Sequence, residues 1–417
     1  MDLELTPEDE RFRQEARDWL AAHVPATPLP SLETAEGFAA HREWERELYS
    51  GRWSAVTWPQ AYGGRGASVL RWLLFEEEYY AARAPGRVSQ NGISLLAPTL
   101  FEHGTDGQLA RVLPAMASGA TIWAQAWSEP GAGSDLAALR SSAVRAEGGW
   151  LLRGHKTWSS RAAFADRAFG LFRSHPGADR PHHGLTYLMF DLAAPGVTVR
   201  PIGRLDGKPA FAELFLDDVF VPDEDVIGEP GRGWRAAMST AGNERGLTLR
   251  SPGRFTAAAA RLAALWRATA DPADTALRDR VADAVIGARA YRLAACAQAT
   301  RLAADGAPEA AGGTRRAAGG SSGTADGAPG AVGGAPGAAA SLTKIFWSEL
   351  DIALHETALD LLGPRGELAG DAGAAPDHGS WADGWIFALA GPVYAGTNEI
   401  QRDIIAERLL GLPKGRR

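Results

Sequence analysis

The stretch Ala124-Gln125-Ala126-Trp127-Ser128-Glu129-Pro130-Gly131-Ala132-Gly133-Ser134-Asp135 decides how the rest of the chain is read. Its Pro130-Gly131 pair marks a turn, and the small residues after it leave backbone open to close approach. Ser128 and Ser134 set a hydroxyl on either side of that turn, each able to donate or accept a hydrogen bond. Trp127 adds a flat apolar wall. A flat polar ring such as an isoalloxazine needs stacking surface and a few directed polar contacts, which this stretch supplies. Taken alone, the same stretch reads equally well as a surface turn between two strands.

Upstream, the pattern is helical. Thr6-Pro7-Glu8-Asp9 is a helix start: a capping hydroxyl, a proline suited to the first position, and acids against the positive end of the dipole. Phe12, Ala16, Trp19 and Leu20 then share one face. Further helices are predicted over residues 36–49 and 68–84, with more up to residue 117. Downstream, residues 150–159, 168–173, 186–191, 197–201 and 212–219 are short β-like runs separated by Gly, Pro and Asp turns. Leu214 and Leu216 alternate with Glu213 and Phe215, as in a half-buried strand.

Helix returns over residues 234–248, 254–269, 342–362 and 398–410. Val281, Val285, Ala288, Ala295, Ala299 and Leu302 mark the face of another helix. Residues 303–340 are low in complexity, rich in Gly, Ala and Pro, and read as a disordered insertion. The fold class expected is α+β: an N-terminal helical domain (1–119), a central antiparallel β domain (120–232) and a C-terminal helical bundle (233–417). There is no alternating βα pattern and no Gly-x-Gly-x-x-Gly after a strand, which argues against a Rossmann domain.

The 417 residues suffice for two or three domains with a large core. The net charge of -7, without a Lys/Arg block, argues against nucleic acid or an anionic membrane as partner. The single cysteine, Cys296, excludes an internal disulfide and a cysteine-built metal site, and no metal is expected. The acidic N-terminus lacks the features of a signal peptide, and no apolar run approaches a membrane span, so a cytoplasmic location is expected.

Four segments then meet in order. The first is Ser128-Glu129-Pro130-Gly131-Ala132-Gly133-Ser134-Asp135, and the second is Gly154-His155-Lys156-Thr157-Trp158-Ser159-Ser160. The third is Leu216-Asp217-Asp218-Val219-Phe220-Val221-Pro222, followed by Val226-Ile227-Gly228-Glu229 and Gly233-Trp234. The fourth is Tyr394-Ala395-Gly396-Thr397-Asn398-Glu399-Ile400-Gln401-Arg402. In this order and spacing the chain resembles the acyl-CoA dehydrogenase family, outside the low-complexity segment.

The resemblance implies a four-helix C-terminal bundle and FAD in the crevice between bundle and β domain, completed by a neighbouring subunit. It implies that Trp127, Ser128 and Ser134 line flavin and thioester, that Trp158 packs on the isoalloxazine, and that Ser160 bonds near flavin N5. Thr397 and Glu399 match FAD phosphate and ribityl contacts at a helix N-terminus. Gly363 matches an approach to the partner's FAD, and Ser134, Arg245 and Gly396 fall at substrate-contacting positions. Many members carry the α-proton base in a Tyr-Glu-Gly-Thr segment; here that position is Ala395. Other branches place it as Glu before Arg on the first bundle helix, which makes Glu244 of Asn243-Glu244-Arg245 the candidate base.

An Arg-x-x-Phe-Gly segment usual in the bundle is missing between residues 254 and 291, which leaves flavin anchoring and assembly open. The expected activity is α,β-dehydrogenation of an acyl thioester, on coenzyme A or a carrier protein, with electrons passing to an electron-transfer flavoprotein. The expected assembly is a homodimer or tetramer, with a hetero-oligomer as the other arrangement. Two other readings stand beside this one: a non-catalytic partner subunit of a related flavoenzyme, and an acyl-dehydrogenase-like flavin oxygenase.

Overall fold

The computed structural model describes residues 4–245, 250–304, 338–368, 370 and 372–414. Thr6 caps α1 (Pro7–His23), its Oγ1 accepting from the Asp9 N–H at 3.2 Å. Thr34 and Ser68 do the same for α2 (Ala35–Ser50) and α3 (Val69–Ala81). These three helices close a core around Leu20, Trp44, Leu48, Phe75 and Tyr79. Trp53 fills its centre, stacked on Phe75 at 5.1 Å, with the Arg65 guanidinium 3.4 Å from the Trp53 ring centroid. Helices α4 (Ala97–His103) and α5 (Asp106–Ala117) follow, the second opened by a reciprocal Thr105–Gln108 capping box.

Eight strands come next: β1 (Trp123–Ala126), β2 (Ser142–Ala146), β3 (Gly149–Ser160), β4 (Arg167–Arg173), β5 (Leu185–Asp191), β6 (Val197–Ile202), β7 (Phe211–Pro222) and β8 (Val226–Ile227). They form one sheet in the order β6-β7-β3-β2-β4-β5-β8, with β1 beside β4. Leu214 and Leu216 are buried on β7, as the alternation predicts. The antiparallel expectation needs one correction. The sheet is mixed, because β1 pairs with β4 in parallel and β2 meets β4 in parallel through Ser142 and Arg173. A long excursion separates β1 from β4, which permits a parallel pairing, and residue alternation carries no information on strand direction.

The last part is helical: α6 (Gly233–Arg245), α7 (Pro252–Thr269), α8 (Thr275–Ala304), α9 (Ala338–Leu362), α10 (Ser380–Ala388) and α11 (Asn398–Ile404). Helices α7, α8 and α9 pack around Phe255, Tyr291, Trp347 and Leu354. The expected insertion at 303–340 lies between 305 and 337 outside the described residues, and Ala338–Ala340 already belong to α9. Ala295 and Ala299 of α8 enter the core of α1–α3, so the first domain rests on the bundle. A second core joins all three parts: Leu100 and Leu113 from α4 and α5, Phe169 and Tyr187 from the sheet, Ala236 and Ala237 from α6. Among the described residues no helix is long and apolar enough to cross a membrane, and no cluster of metal-ligating side chains occurs.

Candidate active site

The turn after β1 is tied down by a buried ion pair. The Glu129 carboxylate accepts from the Arg140 and Ser141 N–H groups at 2.7 and 2.9 Å and from Lys156 Nζ at 2.9 Å. Lys156 also donates to the carbonyls of Leu171 at 2.8 Å and Trp127 at 3.3 Å. Burial drags the Lys156 ammonium down to about 8, against the pull of Glu129. Burial also works to raise Glu129, but Lys156 and the donors around the carboxylate outweigh it and hold the acid below its ordinary value. The pair therefore stays charged at neutral pH. The Thr157 N–H donates to the Ser128 carbonyl at 2.8 Å, stitching the turn to β3. Sequence reading passed over Glu129 and Lys156; their signal was a charge inside each of two otherwise small-residue motifs.

Ser128 is half-buried, while Ser134 is exposed on the far side of the turn. A side chain added at Gly131 or Gly133 would meet nothing within 4 Å, so this backbone is open on its outer side. Where β3 passes the turn, its register with β7 slips between Lys156 and Ser159. At that slip Trp158 adopts φ +60°, a left-handed conformation uncommon for a bulky residue, and remains 60% exposed. Its edge meets Phe211 at 5.9 Å, and Ser160, half-buried, pairs with Phe211 across the ladder. The buried Ser159 Oγ has no partner in the protein.

A chain of side-chain contacts leads from the turn to α6. Trp127 Nε1 donates to the Tyr187 hydroxyl at 3.1 Å, which lies 3.2 Å from Thr240 Oγ1, itself 2.6 Å from Thr99 Oγ1. Glu244 is one helical turn beyond Thr240, on the same face of α6. Burial pushes the Tyr187 phenol well above its usual value, and the nearby charge of Glu244 adds to the rise. Glu244 is half-buried. Arg245 ends α6, and its side chain lies outside the described part of the chain. Asn243 borders a cavity of about 70 Å³ that runs back toward Glu76 on α3.

The fourth motif forms a separate lip. Ala395 and Gly396 both have positive φ, at 58° and 79°. Gln401 Nε2 donates to both of their carbonyls at 3.0 Å. Thr397 Oγ1 caps α11, accepting from the Ile400 N–H at 3.3 Å, and Asn398 Oδ1 accepts from Lys344 Nζ at 2.8 Å. Tyr394 stacks on Trp347 and accepts from Arg250 Nη2 at 2.8 Å. Glu399 is exposed, its acidity strengthened first by its own backbone N–H and then by the Thr397 hydroxyl. Gly363, φ +54°, is exposed at the far end of α9. At about 1.5 Å per residue it lies roughly 28 Å along the helix from Lys344, too far to share a site with Thr397 of the same chain.

Comparison with known proteins matches this architecture. Residues 6–120, 124–219 and 321–410 correspond to the N-terminal, middle and C-terminal domains of acyl-CoA dehydrogenase. The chain belongs to the acyl-CoA dehydrogenase family of oxidoreductases, whose members are FAD flavoproteins active in lipid metabolism. Acyl-CoA dehydrogenase IpdE1 of Mycobacterium tuberculosis is 35% identical over 413 residues, covering 97% of this chain and 98% of the relative. The solved Tcur3481-Tcur3483 steroid ACAD superposes with a TM-score of 0.84 at 26% identity, over 100% of both chains. The ChsE4-ChsE5 complex of Mycobacterium tuberculosis gives 0.78 at 28% identity, also over 100% of both.

Proposed function

We propose that this chain carries out FAD-dependent α,β-dehydrogenation of an acyl-CoA thioester, with Glu244 as the base and an electron-transfer flavoprotein as the electron acceptor. The observation that carries the reading is the run Trp127–Tyr187–Thr240, which fixes the turn after β1 to the face of α6 that bears Glu244. The residues present fit FAD. Trp158 holds a broad apolar face out of the protein at a strained backbone position, an arrangement that stability alone does not favour. Ser160 stands two residues along β3, Ser128 and Ser134 belong to the turn that the Thr157 N–H holds against β3, and the open backbone at Gly131 and Gly133 admits a ligand.

FAD bound against Trp158 supplies the acceptor for the β-hydride. The protein supplies the rest. Glu244 takes the α-proton, so a C–H bond breaks at each of two adjacent carbons and a carbon–carbon double bond forms. Ser134, Arg245 and Gly396 are assigned to the thioester. Glu244 is half-buried and near enough to Tyr187 of β5 for its charge to act on that phenol. Ala395 leaves the other known position without a carboxylate. Thr397 and Glu399 are assigned to FAD, and Gly363 to the FAD of an adjoining chain.

The structural neighbours support two finer points. One is described as a steroid ACAD and two as two-component assemblies. We assign this chain a ring-bearing acyl group and a second chain of the same family as partner. Ala395 and the missing Arg-x-x-Phe-Gly segment favour a second reading, in which the chain only completes its partner's flavin site.

The test is purification alone and with a co-expressed partner, then anaerobic mixing with an acyl-CoA panel while flavin absorbance is followed. Bound flavin that bleaches with substrate supports the proposal. A colourless chain whose Glu244→Gln variant leaves the complex fully active supports the second reading.

A further inference from the structure

Gln401, on α11, is fully buried. Its Nε2 donates at 3.0 Å to the carbonyls of both Ala395 and Gly396. Its Oε1 is buried with no partner in the protein, so these two bonds are the whole polar engagement of the side chain among the described residues. A buried amide left half-satisfied is uncommon. Two left-handed residues in succession, at φ +58° and +79°, bring both carbonyls to one side chain, and the first is an alanine, whose Cβ disfavours that conformation. Across a planar trans peptide the next N–H points opposite to the carbonyl. The N–H groups of Gly396 and Thr397 therefore face away from Gln401. Both residues are half-buried, and among the described residues no protein acceptor takes either N–H. The ends of the lip are fixed independently: Tyr394 by Trp347 and Arg250, and the Asn398 N–H by the Pro392 carbonyl at 2.8 Å.

We propose, resting on the acyl-thioester reading, that Gln401 is a positioning residue for proton abstraction. It acts through the backbone and not on substrate or flavin directly. By holding the Ala395 and Gly396 carbonyls it sets the orientation of the lip peptides, so that the Gly396 N–H is aimed at the thioester carbonyl before substrate arrives. The carbonyl oxygen gains negative charge as the α-proton leaves, and a donor fixed in advance needs no reorganisation at that moment. Ala395 has no polar side-chain atom with which to hold its own turn. Without the two bonds from Gln401, a left-handed alanine relaxes toward ordinary backbone geometry and the Gly396 N–H turns with it. The ends of the lip stay anchored, so the change is confined to these peptides. Because the neutral carbonyl of bound substrate gains less from the donor than the developing enolate does, the effect falls on kcat and not on binding.

The experiment uses the flavin-loaded protein, with its partner if required, and two probes, octanoyl-CoA and 3-cyclohexylpropanoyl-CoA. Anaerobic bleaching gives the maximal rate per bound flavin, and calorimetry with the matching 2-enoyl-CoA, which has the carbonyl but no α-proton, gives Kd. Gln401→Met has similar length and no donor. It should lower the maximal rate at least about tenfold while Kd stays within about threefold. A rate within about twofold of wild type, or a change in Kd alone, overturns the proposal and leaves the dehydrogenase reading standing. Bleaching of wild type by neither probe overturns the underlying reading, and the proposal with it. Amide hydrogen exchange on wild type needs no variant and decides the matter even if Gln401→Met does not fold. Binding of the 2-enoyl-CoA should slow exchange of the Gly396 N–H at least about tenfold. Unchanged exchange at Gly396 in the bound complex overturns the proposal.

Discussion

Trp158 has two properties that a purely structural tryptophan avoids: a left-handed backbone and a mostly exposed ring. The backbone term costs of order 1–2 kcal/mol for a residue with a Cβ. Replacement by glycine removes that strain while deleting the ring. Trp158→Gly should therefore leave Tm unchanged or slightly raised and lower flavin content. A Tm that drops by several degrees would mean the ring is packing rather than platform. Glu76 gives a second test at this scale. Its folded value, about 7, lies above the ordinary 4.5, so the folded state holds the proton more tightly. That stabilisation is complete below about 4.5 and is lost as pH rises through 7. Arg87 and Ser251 pull the other way and offset part of this but do not reverse it, while Glu76 in turn helps raise the neighbouring Tyr80 phenol. Urea titrations at pH 5 and 8 should show Glu76→Gln gaining on wild type at the higher pH; a constant difference would contradict the shift. The position of Trp158 was legible from its motif. Its strain and the setting of Glu76 were not, because both depend on neighbours far away in sequence.

At the level of elements, the turn after β1 and the middle of β3 act as one unit through Glu129 and Lys156. Removing one partner from a buried pair leaves the other uncompensated, at a cost of about 3–5 kcal/mol. Glu129→Ala should lower stability by that order in denaturant titration and release flavin early in the transition; a loss under about 1 kcal/mol would mean the unit is held elsewhere. Because Glu129 is held below its usual value, its contribution is present at neutral pH and disappears as pH falls through the folded value. Helix positions were read well because caps such as Thr6, Thr34 and Ser68 are local signals. The parallel β1–β4 pairing and the slip at Trp158 were not, since alternation along one strand specifies neither direction nor register of its neighbour.

At the scale of the whole molecule, large apolar side chains of α8 and α9 are exposed among the described residues. Ile286 and Leu293 on α8 and Leu342 and Phe346 on α9 are exposed, and Phe346 lies against Gly287. A patch of this kind marks an association surface. Light scattering should find the protein, alone or with its partner, as a dimer or larger at micromolar concentration, and Phe346→Glu should shift it toward monomer. A wild-type monomer would contradict this. The order of domains and the family were legible from four spaced motifs; the partner was not, because an exposed face does not name what covers it. The central claim is that this chain itself performs the proton abstraction. Stopped-flow bleaching of flavin by substrate in Glu244→Gln tests it most directly, because the amide is nearly isosteric and cannot take a proton. The rate should fall by at least about a hundredfold with flavin retained, and adding Ala395→Glu should restore part of it. Bleaching at the wild-type rate in Glu244→Gln would contradict the account.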